Sequence, residues 1–173
     1  MNIRALFISC FGLGHLRPAP GTWGSLPPAV LAFLMLRDGV SHGTYLWTLG
    51  VVALVFGLAC ILFGVWTERY YREKDPSECV ADETCAQCLP LMALAPAWFT
   101  QCVSMEWWRA ALTVLAAFLL FRILDIIKPW PGRRLENLPY GWGVLADDLS
   151  SGLYAAAVIF GLSWWAGAGV SGA

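Results

Sequence analysis

Charge is scarce in this chain of 173 residues: 13% of its residues are Asp, Glu, Lys or Arg, against 58% hydrophobic. Soluble domains carry about 25% charged residues, so a water-facing surface all round is excluded. The net charge is −1, with no basic stripe. No nucleic acid is therefore expected as a partner, since phosphate-backbone binding needs clustered Lys and Arg. Histidine occurs only as His15 and His42, both outside any acid-rich stretch, so a phosphohistidine route is unattractive. Cys85-x-x-Cys88 with Cys79 nearby lacks a fourth zinc ligand, and the six cysteines do not space as a secreted disulfide framework. They read as small apolar packing residues. Also missing are a G-x-x-x-x-G-K-[ST] nucleotide loop, a Cys-x5-Arg phosphatase loop, internal repeats and low-complexity segments.

Long apolar runs, 17 Gly and 10 Trp fill the space that charge leaves. Small residues let membrane helices approach, and Trp anchors their ends at the interface. The expected fold is all-α: an integral membrane helical bundle of about four to five membrane-embedded helices, forming one domain over 1–173. Met1 to Arg17 reads as a short interfacial segment. It mimics a weak signal peptide, but no clean cleavage site follows, so it is expected to stay. Pro18 to Ser25 reads as a turn, with Ser25 capping a short helix over Leu26 to Leu36. Thr44 to Trp66 is the clearest span: at ~1.5 Å per residue it covers roughly 35 Å, enough for the ~30 Å hydrocarbon core. A polar extension follows, broken at Asp75-Pro76. Cys88 to Val103 reads as a kinked helix, Met105 to Arg109 as an interfacial turn, and Ala110 to Ile127 as a span. Pro129 to Trp142 reads as a loop, and Asp147-Asp148 as the opening of a last span, Leu149 to Trp165.

The apolar run from Ala110 ends in Arg122, Asp125 and Lys128, spaced i, i+3, i+6. On a helix they form one charged stripe before Pro129 and Pro131 stop it. Charges at such a depth mark a functional site by default. With a cytoplasmic N-terminus and alternating segments, Arg4, Arg17, Arg69, Arg72, Lys74, Arg122, Lys128, Arg133 and Arg134 fall inside. Only Arg37 and Arg109 fall outside. The same topology brings Gly21-Thr22, Asp75 to Glu83, Arg122 to Lys128 and Asp147-Asp148 to one face of the membrane, the cytoplasmic one. Seven of the twelve acids lie in these stretches.

Clustered carboxylates need a counter-charge, and oxygen ligands without His or thiolate suit Mg²⁺. Asp147-Asp148 and Asp82-Glu83 also suit a plainer role, as acids favoured by the dipole at a helix N-terminus. Arg122 and Lys128 can hold phosphate oxygens, and the Gly21-Thr22 turn can donate N–H and hydroxyl groups to the same anion. Metal plus Arg and Lys around a phosphate is the arrangement that stabilises phosphoryl transfer. By elimination, a metal-bound water is the expected nucleophile.

Four motifs carry a resemblance. They are Pro20-Gly21-Thr22-Trp23-Gly24-Ser25, Asp75-Pro76-x3-Val80-x-Asp82-Glu83, Phe121-Arg122-x2-Asp125-x2-Lys128-Pro129-Trp130-Pro131, and Gly141-x-Gly143-Val144-x2-Asp147-Asp148. In this order, over about Phe11 to Gly161, the chain resembles the phosphatidylglycerophosphatase A family of bacterial membrane phosphatases. The resemblance implies a central helix ringed by others. It also implies Mg²⁺-dependent removal of the terminal phosphate from a phospholipid substrate, phosphatidylglycerophosphate. The catalytic candidates are Asp82, Glu83, Asp125, Asp147 and Asp148. Glu83, Asp125, Asp147 and Asp148 are the expected metal ligands, and Thr22, Ser25, Arg122 and Lys128 the expected phosphate contacts. Three positions depart from the family pattern: Ala86 for Gly, Gly132 for an aliphatic residue, and Leu145 for Met.

The competing reading is a proton- or ion-coupled membrane transporter with an acidic relay. Its acids should lie near the midplane, whereas these cluster at segment ends on one side. A phosphatidyl transferase would carry Asp-x2-Asp-Gly-x2-Ala-Arg, which is absent.

Overall fold

The computed structural model describes residues 2–104 and 107–170, and among these it is all-helical. The order is α1 (Ile3–Ile8), a 3-10 turn at Leu13–His15, α2 (Pro20–Arg37), α3 (His42–Tyr71), α4 (Ala81–Met92), α5 (Pro96–Ser104), α6 (Trp107–Ile127), α7 (Gly132–Leu135) and α8 (Gly141–Val170). Helices α3, α6 and α8 are long and apolar enough to cross a membrane. Their outer faces expose Leu54, Leu62, Leu115, Ile123, Leu153 and Leu162. Such residues on a water-facing helix would leave a large apolar patch; in a bilayer they meet lipid.

The central helix is α4. Nine of its twelve residues are buried, a share no surface helix reaches. Helices α2, α3, α6 and α8 all pack against it. Pro90 lies inside α4, where its missing N–H frees the carbonyl of Ala86. That carbonyl faces Gly152 of α8, where a Cβ would sit only 2.8 Å from it. One residue on from Pro90, the Tyr45 hydroxyl donates to the Leu91 carbonyl at 2.9 Å. The N–H of Ala95, in the break before α5, donates to Ser163 Oγ at 3.0 Å.

Several boundaries differ from those expected. The Pro18 to Ser25 turn is instead the start of α2, because Pro20 sits at its first positions, where proline's fixed φ favours a helix and no N–H is missed. Gly21 and Thr22 therefore lie in a helical first turn. Cys88 to Val103 is split into α4 and α5, with Pro96 opening the second helix. The Met105 to Arg109 turn lies partly outside the described residues, and from Trp107 the chain is already α6. Lys128 leaves the stripe: α6 ends at Ile127 and Lys128 has φ 50°, so only Arg122 and Asp125 share the helix face. Finally, α8 begins at Gly141, nearly two turns before Asp147, so the aspartate pair sits inside the helix rather than at its N-terminus.

That early start depends on close packing. A Cβ on Gly141 would meet the carbonyl carbon of Cys60 at 2.7 Å and Gly64 Cα at 3.3 Å. A Cβ on Gly64 would in turn meet Gly141 Cα at 2.7 Å. Helices α3 and α8 thus touch backbone to backbone, as small residues permit. Gly141→Ala should force them apart at an overpacking cost of ~1–3 kcal/mol. The expected outcome is a Tm lowered by several degrees in detergent, read by a thermal-unfolding scan; an unchanged Tm would show that the contact is loose.

Candidate active site

The bundle places one end of each major helix together: the starts of α2, α4 and α8 and the ends of α3 and α6. The α2–α3 connection abuts α5 at the opposite end, where Gly39 lies beside Val103. The segment before α4 is pinned by the Val80 N–H, which donates to the Ile8 carbonyl at 3.0 Å. Within α4, the Thr84 hydroxyl lies 2.7 Å from the Gly24 carbonyl oxygen of α2. These ties fix the first turn of α4, which carries Asp82 and Glu83.

At this end lies a cavity of about 380 Å³, lined chiefly by acids and two lysines. Asp82, Glu83 and Asp148 each offer a carboxylate oxygen within 4.8 Å of the others. Asp82 and Asp148 are buried and Glu83 is half-buried. Glu83 Oε2 and Asp148 Oδ2 are shut off from solvent without a hydrogen-bond partner. Burial first, and each other's charge second, push the Glu83 carboxyl well above the usual range. Burial likewise raises Asp82, against the hydrogen bond its Oδ1 accepts from the Glu83 N–H at 3.0 Å. Taking such ions out of water costs several kcal/mol each unless compensated. Partnerless, all-oxygen donors converging at this range fit a small hard cation.

Arg122 sits behind this cluster. Its guanidinium pairs with Asp125 at 3.0 Å and donates to Ser25 Oγ at 3.4 Å. Ser25 itself donates to the Gly21 carbonyl at 2.9 Å. A Cβ on Gly21 would run into Glu83 Oε1 and lie 3.0 Å from an Arg122 nitrogen. Gly21 is thus required by space. On the far wall, Lys128 pairs with both Asp147 and Glu136. Burial opposes the Lys128 charge, but these two carboxylates outweigh it and hold its pKa well above the lysine value. Its hydrogen bond in turn lowers Glu136.

The structure brings all five candidate carboxylates, Asp82, Glu83, Asp125, Asp147 and Asp148, to the cavity wall with Lys128. It divides the four expected metal ligands: Glu83 and Asp148 face each other, Asp125 pairs with Arg122, and Asp147 pairs with Lys128. Asp82, expected as catalytic only, completes the cluster. Arg122, Ser25 and the half-buried Thr22 are not among the lining residues, and Ser25 serves to hold Arg122. Sequence reasoning missed Lys74 and Glu136. Lys74 directly precedes Asp75-Pro76, a signal that was available. Glu136 lies in what reads as loop. The cysteines described are free, and all but the half-buried Cys79 are buried, in keeping with packing.

The family model for phosphatidylglycerophosphatase A matches residues 6–163. A phosphatidylglycerophosphatase A of Haemophilus influenzae is 34% identical over 161 residues, covering 90% of this chain and 85% of its own length. A Bacteroides thetaiotaomicron protein, provisionally named a phosphatidylinositol-3-phosphatase, is 33% identical over 159 residues, 89% of each chain. A phosphatidylglycerophosphatase A of Escherichia coli is 32% identical over 157 residues, covering 87% of this chain and 77% of its own. No solved structure matches the chain significantly.

Gly21→Ala tests the site's packing. The added methyl must displace the Glu83 carboxylate or the Arg122 guanidinium, so phosphatase activity should fall at least ~10-fold while Tm changes little. Near-normal activity would mean that Glu83 is not held where the cavity needs it.

Proposed function

This chain belongs to the phosphatidylglycerophosphatase A family, and we propose that it hydrolyses the terminal phosphomonoester of phosphatidylglycerophosphate, giving phosphatidylglycerol and phosphate. The observation that carries this reading is the cavity at the bundle end where carboxylates with buried, partnerless oxygens meet a lysine. A transporter would place such acids in a path through the bundle. Here they line a cavity at one end, and among the described residues no buried acid lies beyond it: the interior holds Leu49, Cys88, Leu91, Val114 and Ile159, with Gln87 and Ser163 as uncharged polar groups.

Asp82, Glu83 and Asp148 would hold Mg²⁺. When bound there it supplies Lewis-acid charge at the phosphate and promotes ionisation of water. Lys128 exchanges Glu136 for oxygens of the phosphomonoester, keeping one cationic contact throughout the reaction. Asp147 orients that ammonium from beneath. Arg122 holds Asp125, which stands beside Asp148. The carboxylate cluster is thereby fixed before substrate arrives, so little reorganisation is left to the reaction. Water attacks phosphorus, a cavity carboxylate takes its proton, the bond from phosphorus to the glycerol oxygen breaks, and that oxygen receives the proton. The apolar outer faces of α3, α6 and α8 leave the acyl chains in lipid while the headgroup enters the cavity. We place the cavity on the cytoplasmic side of the inner membrane, from the bias of nine cations against two.

Three measurements check this. Purified protein stripped of metal should release no phosphate from phosphatidylglycerophosphate in EDTA and recover on adding Mg²⁺. Asp148→Asn and Glu83→Gln should each lower kcat ~10²–10³-fold, and full activity in EDTA would remove the metal from the scheme. For orientation, Ser77→Cys in a background lacking native cysteines should resist labelling by impermeant thiol reagents in intact cells. Labelling from outside would invert the topology.

A further inference from the structure

Two cations line the cavity, Lys74 and Lys128, and the proposed chemistry uses only Lys128. Lys74 pairs with no carboxylate among the described residues. Its Nζ donates instead to the main-chain carbonyl of Glu136 at 2.7 Å. Lys128 takes the carboxylate of the same residue. Glu136 therefore lies across both ammonium groups, main chain on one and side chain on the other. The two nitrogens are no further apart than the two ends of one glutamate plus a hydrogen bond at each.

A lipid of the proposed class presents the same spacing of acceptors. A phosphomonoester is joined through a three-carbon glycerol bridge to a phosphodiester, which continues to the diacylglycerol. The bridge between the two phosphorus atoms is comparable in length to a glutamate from carbonyl oxygen to carboxylate. Lys74 is exposed at the cavity mouth and Lys128 is half-buried within. The diester must stay toward the lipid, because the acyl chains are tied to it, and the monoester is free to go deeper. We infer that Lys74 is a specificity-determining residue that binds the phosphodiester of the headgroup while Lys128 holds the phosphomonoester, the lipid replacing Glu136 on both. This rests on the lipid-phosphatase reading above. It assigns the cavity a preference for lipids that carry a phosphomonoester beyond a phosphodiester, over lipids whose phosphomonoester sits directly on diacylglycerol.

The test uses full-length Lys74→Gln and Lys74→Arg in mixed micelles with Mg²⁺. Gln keeps a donor for the Glu136 carbonyl but loses the charge, whereas Arg keeps the charge. Kinetics on phosphatidylglycerophosphate are read together with inhibition by two soluble probes: glycerophosphoglycerol, which has only the diester, and inorganic phosphate. Loss of one charged contact to a phosphate is expected to raise KM for the lipid and Ki for glycerophosphoglycerol about ten-fold in Lys74→Gln. kcat and the Ki for inorganic phosphate should stay within about two-fold, and Lys74→Arg should restore the diester effects. If Lys74→Gln weakens both inhibitors equally, or lowers kcat with both Ki values unchanged, Lys74 only supports the Glu136 segment and the inference is overturned. Unchanged kinetics overturn it as well. A wild-type protein that releases no phosphate from the lipid overturns the substrate reading and this inference with it.

Discussion

Three carboxylates, two buried and one half-buried, are set against one another at the end of an apolar bundle, and much of the structure follows from keeping them there. Asp82, Glu83 and Asp148 approach within ligand-sharing range although their mutual repulsion and lost hydration both oppose it. A flexible site would relieve that conflict by letting the side chains swing out to water. This one does not, because each acid is carried on a helix locked by neighbours. Asp82 and Glu83 ride on α4, whose first turns are tied to α2 through Thr84. Asp148 rides on α8, whose Ser151 hydroxyl lies against the Leu124 carbonyl of α6 at 3.4 Å. The strain of like charge is thus held by packing, and a bound cation would release it.

Close backbone approach makes that packing possible. Gly64 and Gly141 bring α3 and α8 into main-chain contact, and Gly21 leaves room for Glu83 and Arg122 between α2 and α4. Gly132 plays a parallel part: a Cβ there would lie 2.5 Å from Asp147 Oδ1 and 3.0 Å from Ser150 Oγ. An aliphatic residue at 132, which the family resemblance led one to expect, would therefore need a different setting of Asp147 or of the short α7 segment. In this chain the glycine and the buried Asp147 fit each other.

The cations are arranged by the opposite logic. Arg122 is enclosed and spends its charge on Asp125, which stabilises the acid cluster from behind. Lys128 and Lys74 face the cavity and share one residue, Glu136, in an exposed segment, while Lys128 keeps Asp147 as a second partner. A cation held by an exposed carboxylate is readily handed to a phosphate, since the exchange replaces one charged contact with another and exposes little. The division separates groups that hold the site's shape from groups free to meet an anion.

By itself, the sequence determined the membrane class, the all-α fold, the approximate spans and the set of carboxylates, because apolar runs, charge scarcity and motif spacing are local properties of the chain. The clustering of Asp82, Glu83, Asp125, Asp147 and Asp148 was legible too, through the one-sided sorting of charge. Which carboxylates face one another was not. Arg122 and Asp125 share a helix face at i, i+3, but Lys128 falls beyond the helix end, and only its left-handed backbone sends it to Asp147 and Glu136 rather than to Asp125. The aspartate pair of α8 read as helix-opening acids because the sequence from Pro129 to Trp142 reads as a loop. Their helical state depends on contact with α3, whose residues lie far away in sequence. Ser25 and Arg122, read from the sequence as phosphate contacts, also bond to each other, since a side chain's partner is set by which helices pack together. Tertiary structure decided those pairings, and with them which oxygens remain free for a metal and which ammonium groups for a phosphate.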